Sequence, residues 1–185
     1  MAIELVYETH STTIDNETGI ATGWHEGRLS DRGRMQAAEL GERRRDDGLA
    51  AVFTSDLGRA IETAEIAFSG SELPVHPDSR LRECNYGELN GTPAADIEAE
   101  RVHRIDEPFP GGESYRQVVE RTRSFLNDLF PAFEGSRVLL IGHSAYRWAL
   151  QHLLLGAPLE EVVAAPFGWQ EGWDYALPGE LPVQG

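Results

Sequence analysis

The chain contains 185 residues with a mass of 20.5 kDa, of which 41% are hydrophobic and 25% are charged. This size and composition are typical of one globular domain, here residues 1–185, that buries its core without a disulfide or a metal. The single cysteine, Cys84, excludes an internal disulfide and a multi-cysteine zinc site. The net charge of −15, with arginine as every one of the 16 basic residues, argues against binding to nucleic acid or to an anionic membrane.

The first half of the chain alternates short apolar runs with amphipathic stretches. Residues 3–7 predict a buried strand, and residues 30–45 predict a helix with Ser30 as N-cap and apolar or small residues at Met35, Ala38 and Leu40. Residues 50–54 predict a second strand, and residues 74–76 a short edge strand. Between these two strands, residues 55–68 predict a helix with a single apolar face, formed by Leu57, Ala60, Ile61, Ala64 and Phe68.

The second half continues the alternation. Residues 137–141 predict a third buried strand, and residues 145–155 a helix that ends at Gly156 and Pro158. Trp169, Trp173 and Tyr175 are expected to close the core or to add an edge strand. Residues 114–130 predict a long helix with side chains at helical spacing: Tyr115, Val118, Val119, Thr122, Leu126 and Leu129. Together these elements predict an α/β fold, a three-layer sandwich with a mostly parallel central sheet and helices on both faces.

The sequence also bears on where the protein works. No apolar run is long enough to cross a bilayer, and the first residues lack a basic segment followed by an apolar core, so we expect a cytoplasmic protein. The arginine triplet at residues 43–45 is interpreted as a solvated helix end, where cations suit the helix dipole, rather than as a phosphate or nucleic-acid site.

Histidines follow two of the predicted strands directly. His10 and Ser11 come after the first strand, and His143 and Ser144 come after the third. Since the carboxyl ends of parallel strands meet at one edge of a sheet, where α/β proteins gather their chemistry, we expect the two rings to lie side by side. A single such histidine is explained by a half-buried ring bonded to backbone, but the pair favours a functional site.

Three further polar groups are expected near this edge. Arg59 falls in the first turn of the helix after the second strand, where a cation opposes the helix dipole; the alternative is a solvated surface arginine. Glu83 lies in a polar stretch that ends in glycine, and the alternative interpretation is that it is an ordinary surface carboxylate. Asn16 and the turn at residues 21–24 offer small groups that can approach an anion closely.

The order of short motifs is similar to that of a known family. Its opening motif is Arg-His-Gly-Glu-Thr or a near variant, with an asparagine six residues after the histidine, and the corresponding stretch here reads Thr9-His10-Ser11-Thr12-Thr13 with Asn16 at that spacing. The remaining motifs follow in family order as Gly23-Trp24, Leu29-Ser30 with Gly33, Ser55-x-Leu57-x-Arg59-Ala60 with Thr63-Ala64, Leu81-x-Glu83 with Tyr86-Gly87 and Gly91, and Gly112-Glu113-Ser114. The chain therefore resembles the histidine phosphatase superfamily, in the branch that contains cofactor-dependent phosphoglycerate mutase and its small phosphatase relatives.

The resemblance implies phosphoryl transfer through a phosphohistidine. His10 would be the nucleophile, with one ring nitrogen held by a backbone carbonyl so that the other attacks phosphorus. His143 and Arg59 would hold the equatorial phosphate oxygens. Glu83 would give a proton to the leaving oxygen and later accept one from water, which requires a carboxyl with a raised pKa.

The resemblance also implies the rest of the pocket. Asn16 and the Thr22 and Gly23 backbone would complete the phosphate site, and Tyr86 at its rim would touch the organic part of the substrate. No metal or cofactor is implied, because the protein itself supplies the positive charge, and the other histidines show no metal-ligand spacing. The expected partner is a small phosphorylated metabolite, and a homo-oligomer is left open.

Three residues depart from the family pattern. Thr9 stands where the family has arginine, while Ser11 and Ser144 stand where it has glycine. Removing one such phosphate donor typically costs ~10²–10³ in rate. We expect Thr9, Ser11 and Ser144 to lie at the phosphate site, with the serine hydroxyls and Arg147 taking over part of the arginine's role. The alternative is a weak or inactive relative that only binds phosphorylated ligands.

The connection at residues 91–111 separates two enzymatic alternatives. A mutase must retain a second phosphate during exchange, usually through extra basic residues in an insertion at this point. Here the connection is short and carries two arginines among five acidic residues, namely Arg101 and Arg104 with Asp96, Glu98, Glu100, Asp106 and Glu107. The sequence therefore favours a phosphomonoester hydrolase over a mutase.

Overall fold

A computed structural model describes residues 1–181 of the chain. Its strands are β1 (Ile3–Thr9), β2 (Ile20–Ala21), β3 (Ala51–Thr54), β4 (Val75–Pro77), β5 (Thr92–Pro93), β6 (Arg137–Gly142) and β7 (Trp173–Leu177). Its α-helices are α1 (Ile14–Thr18), α2 (Asp31–Arg44), α3 (Gly58–Ala67), α4 (Ala94–Glu100), α5 (Tyr115–Phe133), α6 (Ser144–Leu155) and α7 (Leu159–Ala164). Short 3-10 helices occupy Ser79–Leu81, Gly87–Leu89 and Arg101–His103.

The main sheet has five strands in the order β4-β3-β6-β1-β7. The first four are mutually parallel, and β7 pairs antiparallel with β1 at the edge, while β2 and β5 form a separate two-stranded sheet. Thr9 of β1 pairs with Gly142 of β6, and the His10 amide donates to the Gly142 carbonyl at 3.0 Å. This register places the residues after β1 and β6 next to each other.

Helices cover both faces of the sheet, which confirms the predicted three-layer α/β fold. Successive residues of β1 point to opposite sides, so that Leu5 and Tyr7 join the core of α5 and α6 while Val6 joins the core of α2 and α3. β6 alternates in the same way with Val138 and Leu139. None of the helices within residues 1–181 combines the length and apolar character needed to cross a membrane.

The strands and the long helix agree with the sequence. The three predicted buried strands are β1, β3 and β6, and the predicted edge strand is β4. Trp173 and Tyr175 lie on edge strand β7 with buried side chains, whereas Trp169 precedes it and is 58% exposed. Helix α5 buries every predicted position, begins after a capping box between Ser114 and Gln117, and continues past residue 130 to Phe133.

Helix α2 corrects one prediction. Ser30 is its N-cap as expected, but Met35 and Ala38 face solvent. The buried side is made by Gly33, Ala37, Leu40 and Gly41. A side chain at residue 33 would place Cβ 1.9 Å from the Thr12 carbonyl oxygen, so the glycine is what allows the helix to approach the loop after His10.

This close approach gives the first prediction. Gly33→Ala is expected to destabilise the protein by about 1–3 kcal/mol, because the added methyl group pushes α2 away from the loop that carries His10. Urea unfolding measures the free energy, with Met35→Ala, a change at a 66% exposed position of the same helix, as the control. Equal stability of both variants would show that the contact is readily relaxed.

Helix α3 begins later than predicted. Residues 55–57 form a turn in which the Ser55 hydroxyl accepts from the Leu57 amide at 3.3 Å, and the helix itself starts at Gly58. The predicted apolar face is buried at Leu57, Ala60, Ala64 and Phe68, with Ile61 half-buried.

Candidate active site

The two predicted histidines lie side by side at the carboxyl edge of the sheet. Their ring centroids are 5.0 Å apart, with His10 following β1 and His143 at the N-cap of α6. The Nδ1–H of His10 donates to the Ser11 carbonyl at 2.8 Å, so the proton sits on Nδ1 and Nε2 keeps its lone pair. This backbone contact is the one expected of a nucleophilic histidine.

Burial sets the charge of this pair. Burial, assisted by the Arg59 guanidinium, lowers the pKa of His10 to about 3, against the opposing effect of its bond to Ser11. Burial and Arg59 likewise hold the pKa of His143 well below its ordinary value. Both rings are therefore neutral at physiological pH, and Nε2 of His10 is available for attack.

Arg59 is a buried residue rather than a solvated one, with 2% of its surface exposed. Its Nη1 donates to the His25 carbonyl at 2.9 Å, and its Nη2 donates to the Gly23 carbonyl at 2.8 Å and to His143 Nδ1 at 3.3 Å. Because a guanidinium can only donate, Nδ1 of His143 is an acceptor and the ring proton sits on Nε2. This Nε2 is buried and has no hydrogen-bond partner within residues 1–181.

Glu83 connects its own loop to the start of α6. Its Oε1 accepts from the Cys84 amide at 2.8 Å and from the Ala145 amide at 3.2 Å, two residues after His143. Burial raises the pKa of the Glu83 carboxyl, while these two bonds and Arg59 act in the opposite direction. A carboxyl with a raised pKa, bonded to the amide two residues after His143, suits an acid that also serves as a base.

A cavity of about 450 Å³ opens at this edge of the sheet. Six of the predicted site residues line it, namely Thr9, His10, Ser11, Asn16, His143 and Ser144. The rest of its wall is formed by Glu8, Thr12, Arg32, Gln36, Glu39, Leu40, Arg43, Phe167 and Trp169. The Asn16 side-chain oxygen accepts from the Thr13 amide at 3.0 Å, which fixes its amide group at the cavity.

The other five predicted site residues do not line this cavity, namely Arg59, Glu83, Thr22, Gly23 and Tyr86. The Thr22 hydroxyl donates to Asp15 at 2.7 Å, and Gly23 adopts φ of 56° and presents its carbonyl to Arg59. Tyr86 is 8% exposed and packs edge-on against Phe109, with ring centroids 5.2 Å apart. Within residues 1–181, no group of three or more His, Cys, Asp or Glu side chains is arranged to hold a metal ion.

Arg147 does not occupy the place suggested for it. Its guanidinium lies 4.3 Å from the ring centroid of Trp173 and 5.7 Å from that of Phe167, and it is absent from the cavity wall. The aromatic side chains before and on β7 attract this cation away from the phosphate site. Arg147 is therefore not the replacement for an arginine at position 9.

The sequence analysis missed the contribution of α2 to the cavity. Arg32, Gln36, Glu39 and Arg43 line it at spacings of four, three and four residues, which is one face of a helix. Two residues of the triplet at 43–45 are not solvated, because Arg43 and Arg44 both pair with Glu8, whereas Arg45 is exposed. A glutamate inside a buried strand was the available signal, since such a charge requires a partner.

The fold and the histidine pair define the phosphoglycerate mutase-like class of α/β proteins. The family described as histidine phosphatase superfamily (branch 1) matches residues 9–168, and the chain belongs to this superfamily.

Known relatives include both mutases and phosphatases. A probable phosphoglycerate mutase, GpmB of Erwinia tasmaniensis, is 33% identical over 157 residues, which are 80% of this chain and 73% of that protein. YhfR of Bacillus stearothermophilus superposes with a TM-score of 0.82 at 28% identity, covering 92% of this chain and 88% of that one. A mycobacterial glucosyl-3-phosphoglycerate phosphatase superposes with a TM-score of 0.76 at 29% identity, covering 88% and 87%.

The lowered pKa of His10 predicts a pH dependence of stability. The unfolded chain binds a proton at this histidine below its ordinary pKa of 6.5, while the folded chain resists protonation down to about 3. The stability that comes from the neutral ring is therefore present above pH 6.5 and is lost as the pH falls towards 3.

Thermal melts between pH 7 and pH 4 test this dependence. We expect the Tm of the wild type to fall further between pH 7 and pH 4 than the Tm of His10→Asn. His103→Asn, at an exposed histidine, is the matched control and should follow the wild type. Parallel curves for all three proteins would contradict the assignment of the acid sensitivity to His10.

Proposed function

We propose that the protein is a phosphomonoester hydrolase that acts on a small phosphorylated metabolite through a phosphohistidine at His10, without a metal ion. The observation that carries this proposal is the pairing of two differently protonated rings on one cavity. His10 offers a lone pair at Nε2, and His143 offers a buried Nε2–H that has no partner among the described residues 1–181.

The first half-reaction forms the phosphoenzyme. Nε2 of His10 attacks phosphorus in line with the leaving oxygen, the bond between phosphorus and that oxygen breaks, and Glu83 protonates the departing alcohol. The Nε2–H of His143 donates to an equatorial phosphoryl oxygen. Arg59 holds His143 in the tautomer that makes this donor, and its buried positive charge favours the developing anion.

The second half-reaction returns the enzyme to its starting state. Glu83, now ionised, accepts a proton from water as the water oxygen attacks phosphorus. The bond between phosphorus and Nε2 breaks, inorganic phosphate leaves, and Glu83 is again protonated. A carboxyl with a raised pKa serves both halves because it is a sufficient acid in one and a sufficient base in the other.

Hydrolysis is favoured over mutase activity by the state of the two arginines in the connection before α5. Arg104 pairs with Glu100 at 2.7 Å and with Glu107 at 3.4 Å. Arg101 donates to the carbonyls of residues 164 and 165 and lies 3.7 Å from Glu98. Neither arginine lines the cavity, so this connection offers no cation for the second phosphate that a mutase must retain.

Product analysis separates the two activities. The protein is incubated with 3-phosphoglycerate and a bisphosphate primer, and separately with a panel of sugar phosphates, nucleotides and phosphoglycerates. Release of inorganic phosphate in the presence of a chelator supports the proposal, whereas isomerisation of 3-phosphoglycerate identifies a mutase. Tight binding of a phosphorylated compound without turnover identifies a binding protein.

A further inference from the structure

We propose that Arg43, held in place by Glu8, binds the phosphoryl group in this cavity and supplies the cation that the chain lacks at position 9. This inference deepens the proposed function and rests on it. Arg43 would be a substrate-binding residue and Glu8 a positioning residue.

Glu8 is a charged residue built into a buried strand. It lies on β1 two residues before His10 and is 1% exposed. Arg43 approaches it with one edge of the guanidinium, through Nε to Oε1 at 3.3 Å and Nη2 to Oε2 at 3.1 Å. The Nε of Arg44 also donates to Oε1, at 2.8 Å. One carboxylate is therefore shared by two guanidinium groups, which fixes both side chains.

Arg43 and Arg44 differ in how many of their N–H groups are already used in hydrogen bonds. Arg44 uses all three nitrogens, through Nε to Glu8, Nη1 to Asp47 at 3.0 Å and Nη2 to the Glu171 carbonyl at 3.0 Å. Arg43 binds Glu8 alone, and its Nη1 has no hydrogen-bond partner within residues 1–181. Arg43 also lines the cavity that His10 lines, whereas Arg44 does not. The free edge of Arg43 is thus a fork of N–H donors of the kind that binds phosphate.

Arg43 reaches the cavity from a different wall than an arginine at position 9 would. Because neighbouring residues of a strand point to opposite faces, Thr9 lies on the opposite side of β1 from Glu8, yet both residues line the cavity. The cation would therefore approach the phosphoryl group from the α2 side.

Two other charged residues on this face of α2 line the same cavity. Glu39, one turn before Arg43, opposes an anion and makes the effect of Arg43 smaller than that of an arginine without such a neighbour. Arg32 lies eleven residues earlier, about 16 Å away along the helix axis, and within residues 1–181 no hydrogen bond or ion pair fixes its exposed side chain as Glu8 fixes Arg43.

The test compares Arg43→Gln with Arg44→Gln. Both changes remove one of the two arginines from Glu8, but only the first removes a donor from the cavity. The readouts are kcat/KM for p-nitrophenyl phosphate, the Kd of orthovanadate, and Tm. We expect Arg43→Gln to lower kcat/KM and to weaken vanadate binding by at least ~10-fold, and Arg44→Gln to change both by less than ~3-fold.

A second arginine should rescue the defect. Adding Thr9→Arg to Arg43→Gln is expected to recover most of the lost vanadate affinity, because either arginine supplies the same charge to the cavity. Arg43→Lys keeps the charge beside Glu8 but loses the fork, so it should still weaken vanadate binding by at least ~3-fold while keeping the wild-type Tm. If Arg43→Gln fails to fold, the vanadate affinity of Arg43→Lys tests the role of Arg43 instead.

The outcomes distinguish this inference from the proposed function. Equal losses in Arg43→Gln and Arg44→Gln, or unchanged vanadate affinity in Arg43→Gln, would overturn the role of Arg43 even if the wild type hydrolyses phosphomonoesters. A wild type that releases no phosphate from any substrate, but binds vanadate in a way that depends on Arg43, would support the anion site and contradict the hydrolase.

Discussion

Replacing His10 with alanine is expected to lower kcat on every phosphomonoester by at least ~10³-fold, because the nucleophile is lost while the pocket that holds the phosphate remains. Among the residues within 1–181 that line the cavity, no other side chain has the required arrangement. His143 carries its proton on Nε2 and serves as a donor, and the Ser11 and Ser144 hydroxyls have no base held against them by a described hydrogen bond. Initial rates of phosphate release measure the effect.

The matched control for this experiment is His103→Ala, which removes an exposed histidine that does not line the cavity. It should leave kcat unchanged. The wild type is assayed with and without a chelator, and equal rates are expected because the proposed reaction uses protein groups alone. An active His10→Ala variant, or a rate that depends on added Mg²⁺, would contradict the mechanism.

Replacing Glu83 with glutamine is expected to slow an alkyl phosphate by ~10²-fold or more and p-nitrophenyl phosphate far less. An alkoxide needs a proton in order to leave, whereas p-nitrophenolate departs without one. The variant keeps the shape of the side chain, and its amide oxygen can still accept from the Cys84 and Ala145 amides. The difference between the two substrates therefore reports proton transfer rather than packing.

The pH profile gives an independent reading of the same residue. Because burial raises the pKa of Glu83, its protonated form persists above the usual range of a carboxyl, and kcat/KM on an alkyl phosphate should fall as the pH rises through that pKa. Glu83→Gln should lose this alkaline limb. Glu113→Gln, at a neighbouring carboxylate paired with Arg121, is the control and should keep it. If Glu83→Gln slowed the alkyl phosphate and p-nitrophenyl phosphate by the same factor, Glu83 would be only a binding or supporting residue.

The sequence was sufficient to place the sheet and the histidine pair. β1, β3 and β6 are largely apolar because both of their faces are mostly covered, and such runs identify strands without any knowledge of their partners. Once the strands are parallel neighbours, the residues that follow them meet at one edge, which is why His10 and His143 were predicted together correctly.

The same reasoning could not predict that α2 forms part of the cavity wall. The buried side of this helix is defined by glycine and alanine, which carry little hydrophobic signal, so Met35 and Ala38 were assigned to the wrong face. A polar face with Arg43 looks like a solvated surface unless the charge of Glu8 on the adjacent strand is known to lie beneath it. Contacts of this kind depend on tertiary packing, which periodicity does not encode.

Short elements and the environment of Arg59 also escaped prediction. Helices α1, α4 and α7 contain five to seven residues, too few to show a helical period. Arg59 considered alone favoured a solvated surface arginine. Its burial follows from the carbonyls of Gly23 and His25, which are brought to it by a loop more than thirty residues away in sequence.

Trapping the phosphoenzyme tests the central claim most directly. The protein is mixed with excess p-nitrophenyl phosphate, quenched within milliseconds in alkali or in acid, digested and analysed by mass spectrometry. Phosphorylation of His10 that survives alkali and disappears in acid is the predicted result, since phosphohistidine is acid-labile and phosphoserine is not. Phosphate found on Ser11 or Ser144, or steady turnover with no phosphorylated residue at either quench, would contradict the account.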